Sequence, residues 1–136
     1  MLNVVNKSID VLVVVDALAA IESGDLGSNV YLMDTNKHYG SFEKGSTELY
    51  TSCIDGQNIT WRVEAINSDS DVSIKCFSGS MIDKSICVPI SIETTKSTFW
   101  IGIVEARRNH YDQLEYTITI TIDGKDMTFN PFLKVN

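Results

Sequence analysis

The sequence predicts an all-β protein, a single-domain antiparallel β-sandwich spanning residues 1–136, from three observations. Apolar and polar residues alternate along several segments, as they do in strands that bury one face. Two Asp-Gly pairs separate such segments, and Asp-Gly supplies the positive φ angles of tight turns. Only residues 17–22 have the composition of a short helix. These observations leave the strand order open between jelly-roll and immunoglobulin-like, with an eight-stranded barrel as the alternative architecture.

The amino-terminal part of the chain contributes one strand and the predicted helix. Residues 11–15 are apolar on both faces, which fits a central strand covered on both sides. Residues 17–22 predict one or two helical turns, capped by Asp16 and stopped near Gly24. An apolar run followed by alanines also occurs in signal peptides. Here Asp10 and Asp16 bracket a run of only five apolar residues, so a strand explains the segment better.

Alternation predicts most of the remaining strands. The clearest case is 114–122, where every second residue from Leu114 to Ile122 is apolar and the residues between them are Glu or Thr. Residues 59–65 alternate in the same way. So do residues 85–92, which place Ile86, Val88, Ile90 and Ile92 on one face. Shorter strands are predicted at 29–33, 48–54, 72–77 and 127–129.

Glycines mark the predicted turns and one close contact. Asp55-Gly56 is predicted to join strands 48–54 and 59–65 as a hairpin, and Asp123-Gly124 to join 114–122 and 127–129. Residues 99–104 are apolar on both faces, and Gly102 within them is expected at a bulge or a close approach of another segment.

Composition excludes several classes of partner and favours a reducing compartment. The net charge of −7 argues against nucleic-acid binding, because every phosphate contact would work against like charge. No apolar run is long enough for a membrane helix, so no membrane insertion is expected. Cys53, Cys76 and Cys87 form no Cys-x-x-Cys pair, which favours structural thiols over disulfides or zinc ligation. We therefore expect cytoplasmic folding, with later export without a cleavable signal peptide left open.

The sequence predicts no catalytic site and no cofactor. The two histidines, His38 and His110, lie in polar loops, and neither belongs to a known nucleophile or zinc-hydrolase motif. A weak calcium alternative is the loop 67–71, where Asp69 and Asp71 offer oxygen ligands. This loop lacks the glycine and the terminal glutamate of an EF-hand, so a turn stabilised by short polar side chains explains it as well.

One loop has the composition of a sugar-binding site. In the segment 34–40, Asp34, Asn36 and His38 are hydrogen-bonding side chains beside the aromatic ring of Tyr39. Sugar hydroxyls pair with such groups, while the apolar face of a pyranose stacks on an aromatic ring, for which Trp100 is a further candidate. The alternatives are that Asp34 and Asn36 are ordinary turn residues and that Trp100 belongs to the core.

Five segments in order have the motifs of one known protein family. They are an opening strand, a second strand, the segment 55–62, and a closing hairpin with its Phe-x-Pro-Phe end, the others lying at 9–17, 29–34, 116–124 and 129–135. Trp61-Arg62, within 55–62, is the most specific dipeptide. Together the segments resemble the AidA/PixA inclusion-body protein family. Asn130 stands where that family often has Asp, so a role for that carboxylate is in doubt here.

The resemblance implies a compact bacterial β-sandwich without established catalytic residues. Some members accumulate as cytoplasmic inclusions, and others are quorum-sensing-controlled factors in host interaction. Our first hypothesis is therefore a non-enzymatic host-association protein of this type, acting by self-association and surface binding. The flat Thr117, Thr119 and Thr121 face is one candidate contact between copies. The alternative hypothesis is a carbohydrate-binding, lectin-like module whose partners are glycans; an uncharacterised enzyme is the least favoured.

Overall fold

The computed structural model describes residues 8–36 and 50–136, and these confirm the predicted all-β class. Strands dominate, and a single helix, α1 (Ala17–Ser23), exceeds one turn among these residues. A one-turn helix, α2 (Ser80–Asp83), and a 3-10 turn (Gly27–Asn29) complete the helical structure. The strands are β1 (Ile9–Val15), β2 (Val30–Asp34), β3 (Tyr50–Cys53), β4 (Asn58–Ala65), β5 (Val72–Ser78), β6 (Ile90–Glu93), β7 (Thr98–Ile103), β8 (Tyr111–Glu115), β9 (Thr117–Ile122), β10 (Lys125–Phe129) and β11 (Phe132–Val135).

The strands form one five-stranded sheet and two three-stranded sheets. The large sheet has the order β2-β1-β4-β7-β6, and the smaller ones have the orders β10-β9-β5 and β3-β11-β8. Two neighbouring pairs, β1 with β4 and β11 with β3, are parallel, so the prediction of a wholly antiparallel sandwich was wrong in this respect. Parallel neighbours require a long crossover connection, and alternation along a strand carries no information about the direction of its neighbour.

The two small sheets make up the second layer of the sandwich. The chain bends at Tyr116 between β8 and β9, and at Pro131 between β10 and β11. At this bend Tyr116 N–H donates to Pro131 O at 3.1 Å. The ring of Trp61 on β4 lies 4.9 Å from Phe77 on β5 and 6.0 Å from Tyr116, between ring centroids. These contacts join the layers around one cluster of buried apolar side chains.

The predicted helix and one predicted hairpin are confirmed. The Asp16 carboxylate accepts a hydrogen bond from Ala19 N–H at the start of α1, and Gly24 ends the helix with φ of 74°. Asp123 and Gly124 both have positive φ, 47° and 85°, and β9 and β10 pair directly on either side of them. The alternating residues of 114–122 are all buried, as predicted, but the prediction of one strand was wrong: the segment is divided at Tyr116 into β8 and β9, which belong to different sheets.

Two predicted features were wrong. Asp55-Gly56 does not close a hairpin, because β3 pairs with β11 in one layer and β4 pairs with β1 and β7 in the other. Its turn carries the chain between layers, and Asp55 accepts a hydrogen bond from Ala106 N–H at 2.6 Å. The predicted strand 85–92 begins only at Ile90: Ile86 and its neighbour Cys87 are both buried, whereas Val88 and Ile90 are exposed.

Gly102 occupies the close approach that its position predicts. A Cβ at this residue would lie 2.6 Å from Cys87 Sγ, well inside contact distance. The segment before β6 therefore packs against β7 where there is no side chain. Every helix in residues 8–36 and 50–136 is too short or too polar to cross a bilayer.

Candidate functional site

A notch in the five-stranded sheet forms a cleft of about 330 Å³ between β4, β5 and β7. The β4–β7 pairing ends at Trp61 and Trp100, although β4 continues to Ala65. Beyond this point the chain leaves a gap beside β4. The polar and aromatic side chains that line it are Arg62, Glu64, Asp71, Ser73, Thr98 and Trp100.

The backbone of β4 faces this cleft with groups that no neighbouring strand pairs. Ile66 N–H donates to Val15 O at 2.8 Å, toward β1. Because successive residues of a strand point their amide groups to opposite edges, Val63 and Ala65 direct theirs away from β1, and Val63 lines the notch. The β7 ladder ends before it reaches them. The cleft therefore has a short open strand edge along one wall.

Arg62 is held at the rim of the cleft by two neighbours. Its guanidinium lies 3.6 Å from the Asp10 carboxylate and 5.2 Å from the centroid of the Phe99 ring. These contacts orient a side chain that is still about half exposed. The arrangement leaves guanidinium donors available in a cleft that Glu64 and Asp71 also line.

Trp100 lines the cleft, whereas Trp61 belongs entirely to the core. Trp61 is completely buried, and its indole N–H donates to the Tyr116 hydroxyl at 3.2 Å. Trp100 is partly exposed and packs its ring 5.3 Å from that of Phe77. No hydrogen bond joins its indole N–H to any described residue. Trp100 therefore offers both a ring and a donor to the cleft.

Asp34 and Asn36 are buried between layers and make hydrogen bonds within the chain. The Asp34 carboxylate accepts from Thr51 Oγ1–H and from Asn36 N–H, both at 2.9 Å. The Asn36 side-chain amide donates to Ser52 O. These bonds fasten the end of β2 to β3. The structure does not bring Asp34 and Asn36 together with Trp100 in the notch, and their ligand-binding role stays a prediction. The predicted residues His38 and Tyr39 lie outside the described residues.

The loop predicted as a weak calcium site is tied to the β9–β10 turn. Asp71 N–H donates to Asp123 Oδ1, and Asp123 N–H donates back to Asp71 O, both at 2.9 Å. Asp69 is exposed. Within the described ranges, no three His, Cys, Asp or Glu side chains group together as metal ligands. Calcium binding by this loop stays a prediction, and Asp71 is also one of the residues that line the cleft.

Two of the three thiols are buried away from the cleft. Burial raises the pKa of Cys53 and of Cys87 to about 12, so both remain protonated near neutral pH. A nucleophilic thiol requires the opposite shift. Cys76 is exposed, and all three thiols are free.

A second surface feature is the outer face of the five-stranded sheet. In the observed register, the side chains that point away from the core are mostly apolar on four of the five strands. We name this surface the outer apolar face, and its apolar members are Leu12, Val14, Tyr31, Met33, Ile90, Ile92, Phe99, Ile101 and Ile103.

The chain matches a protein-family model and is similar to a solved structure. A family model described as "Domain of unknown function (DUF8788)" matches residues 7–128. The chain belongs to this family. As a DUF8788 protein, it shares its fold with the inclusion body protein PixA from Burkholderia cenocepacia J2315. The two structures have a TM-score of 0.71 and 10% sequence identity, and the match covers 99% of this chain and 98% of that one.

The predicted resemblance to the AidA/PixA family is thus confirmed at the level of the fold. No curated protein matches the DUF8788 sequence. Of the cleft residues, Trp100 was predicted as a ligand-binding residue, and Asp71 only as a calcium ligand. Arg62 was noted in its motif and Glu64 in the alternating segment 59–65, but neither was predicted to bind a ligand, and nor were Ser73 and Thr98. Alternation predicts that Arg62 and Glu64 face solvent. It does not predict that the pairing of β7 with β4 stops beside them, because that depends on residues distant in the sequence.

Proposed function

We propose that this protein acts without catalysis, by assembling with copies of itself through the outer apolar face, as a member of an inclusion-forming type. The observation that carries the proposal is the exposure of large apolar side chains on that face. Ile90 is 58% exposed, Ile103 53%, Tyr31 45% and Met33 38%. Large apolar side chains exposed together on one face of a sheet are typical of protein contact sites.

The apolar residues lie in two blocks on either side of β4. Leu12 and Met33 are direct neighbours across β1 and β2, and Ile90 and Ile101 are direct neighbours across β6 and β7. Between the blocks, β4 presents Arg62 and Glu64. The face is therefore divided into an apolar block, a charged row and a second apolar block.

This pattern is self-complementary, which favours a second copy as the partner. A two-fold axis along β4 would place each apolar block of one copy on the opposite block of the other. The same axis brings the two Arg62 side chains together, and each keeps the ion pair with Asp10 of its own chain, at 3.6 Å. Charges of both signs in the central row would then be paired rather than buried alone.

The size of the face is compatible with a specific contact. Five strands about 4.8 Å apart, with a central strand, β4, of eight residues, give a footprint of roughly 600 Å². Because side chains project from the sheet, the accessible area of the face is larger than this planar footprint. It approaches the ~800 Å² that each partner buries in common interfaces.

The outer face of the second layer offers a poorer contact. There Lys75 Nζ lies 2.6 Å from Asp126 Oδ2, and Thr121 Oγ1–H donates to the other Asp126 oxygen at 2.7 Å. The Lys75 hydrogen bond lowers the pKa of Asp126, which keeps the carboxylate ionised. Thr117 donates to Asn130 Oδ1. This surface is polar and internally hydrogen-bonded, so the threonine face is the less favoured site of self-association.

Other parts of the proposal rest on chemistry and on the fold relative. The name of the structural relative, an inclusion body protein, supports an assembling role over a catalytic one. Free buried thiols support folding in a reducing cytoplasm. We also propose quorum-sensing control, host association and export without a cleavable signal. These three properties rest only on the family resemblance of the sequence.

Sedimentation velocity over a wide range of protein concentration tests the proposal. We expect the wild-type chain to sediment as a dimer or larger species as concentration rises. Ile103→Lys and Met33→Lys, one on each apolar block, should shift it to monomer. Thr128→Lys, an exposed position on β10 in the second layer, is the matched control and should leave association unchanged.

Salt provides a second measurement. The net charge of −7 makes copies repel each other, so association should strengthen as added salt screens this repulsion. A wild-type chain that stays monomeric at every concentration and salt level would contradict the proposal. So would dissociation caused by Thr128→Lys but not by the two outer-face variants.

A further inference from the structure

We propose that the notch beside β4 is a binding site for a single uncharged pyranose ring. The site is the 330 Å³ cleft between β4, β5 and β7. It shares Arg62 and Glu64 with the charged row of the self-association face, so it is open to a sugar in the monomer. Its recognition groups are the Trp100 ring, the Arg62 guanidinium and the carboxylates of Glu64 and Asp71.

The cleft combines the two kinds of contact that a sugar requires. A pyranose has an apolar face of C–H groups, which packs on an aromatic ring, and a rim of hydroxyls that both donate and accept. Trp100 provides the ring. Glu64 and Asp71 provide acceptors with two oxygens each, and Arg62 provides donors.

These polar side chains are free for a ligand. The described residues offer no hydrogen bond to the carboxylates of Glu64 and Asp71, since Asp71 uses only its backbone in the contact with Asp123. The indole N–H of Trp100 is also without a partner there. Arg62 has a single ion pair, to Asp10, at 3.6 Å. The open edge at Val63 adds an N–H and a C=O to the wall.

The dimensions favour a small ring over a peptide strand. On β4, only Val63 both lines the notch and directs its backbone groups away from β1, which is too short an edge to pair with an added strand of ordinary length. A cleft of this volume lies at the lower end of small-molecule sites. The side chains on its walls carry two negative charges and one positive charge, which disfavours sialic and uronic acids relative to neutral sugars.

The two tryptophans make a direct test possible. Each gives one indole N–H signal in a proton–nitrogen correlation spectrum. The Trp61 signal comes from a buried, hydrogen-bonded group and serves as an internal control. Trp100→Phe assigns the two signals. The probes are the methyl glycosides of glucose, galactose and mannose, with N-acetylneuraminic acid as the charged counterpart. The protein is the Ile103→Lys variant, whose notch residues are unchanged.

We expect at least one neutral glycoside to move the Trp100 signal saturably, with a dissociation constant on the order of 1 mM, while the Trp61 signal stays fixed. Asp71→Asn should weaken this binding several-fold without changing the melting temperature, because the Asp71 side chain makes no internal bond. Thr128→Lys should leave binding unchanged.

Three outcomes would overturn the inference. These are no movement of the Trp100 signal with any neutral glycoside up to its solubility, stronger binding of N-acetylneuraminic acid than of the neutral sugars, and equal movement of both indole signals. Each of them leaves the sedimentation result intact, so failure here is distinguishable from failure of the self-association proposal.

Discussion

The indole N–H of Trp61 donates to the hydroxyl of Tyr116 at 3.2 Å inside the sandwich, where both side chains are fully buried. Trp61 lies on the five-stranded sheet, and Tyr116 lies at the bend of the second layer. This bond satisfies two polar groups that would otherwise be buried without partners. Burial raises the pKa of Tyr116 well above its ordinary value, so the hydroxyl keeps its proton.

Tyr116→Phe should therefore destabilise the fold although it removes a single oxygen. The Trp61 N–H would remain buried without an acceptor, at a cost of about 1–3 kcal/mol in the free energy of unfolding. Urea unfolding followed by tryptophan fluorescence measures this change. The matched control is Tyr111→Phe, because the Tyr111 hydroxyl makes no hydrogen bond within the described residues. Equal stability of the two variants would contradict the prediction.

The contact between Gly102 and Cys87 predicts a variant that a second substitution rescues. In Gly102→Ala the new Cβ would start 2.6 Å from Cys87 Sγ, and we expect a loss of about 1–3 kcal/mol from overpacking. Adding Cys87→Ala removes the clashing sulfur, so the double variant should lose less stability than the sum of the single variants.

Thermal or urea unfolding of the wild type, the two single variants and the double variant gives the coupling free energy between residues 102 and 87. Gly27→Ala is the control, because its Cβ would meet only Asp25 Oδ1, at 3.4 Å. If the stability losses of the two single variants add up to that of the double variant, the Cys87 sulfur is not what opposes a Cβ at residue 102.

The hydrogen bonds of Asp34 predict a structural effect at this residue. Asp34→Ala leaves Thr51 Oγ1–H and Asn36 N–H without their acceptor in a buried setting, which should cost about 1–3 kcal/mol. Asp69→Ala, at an exposed position, should change stability little. Chemical unfolding compares the two variants. An Asp34→Ala protein with unchanged stability and lost glycan binding would instead support the loop site predicted from the sequence.

The buried thiols predict a loss of stability in alkali. Cys53 and Cys87 have folded-state pKa values of about 12, raised from 9.0 by burial. Between about pH 9 and pH 12 the unfolded chain loses these protons while the folded chain keeps them. The free energy of unfolding should therefore be fully retained below pH 9 and fall as the pH rises toward 12.

Unfolding curves at several pH values test this sign, and Cys53→Ala combined with Cys87→Ala should flatten the alkaline decline. Alkylation gives an independent measurement. At pH 8 the native protein should react at one thiol, the exposed Cys76, and at three thiols after denaturation. Rapid alkylation of a second thiol in the native state would contradict the burial of this pair.

The sequence by itself determined which residues face the core and where the chain turns locally. The alternation of 114–122, the α1 caps at Asp16 and Gly24, and the Asp123-Gly124 hairpin are confirmed because each depends on neighbours within a few residues. Asp55-Gly56 has the same local signal, yet its flanking strands belong to different layers.

Only the tertiary structure decided which strands pair, in which direction, and where a pairing stops. The parallel β1–β4 contact joins residues about fifty positions apart, and the notch exists because the β7 ladder ends at Trp100 while β4 continues. Alternation reports whether a side chain meets water, which is a local property. Strand pairing depends instead on the packing of the whole chain, so Trp100 could be chosen from the sequence, but its cleft neighbours Glu64 and Thr98 could not.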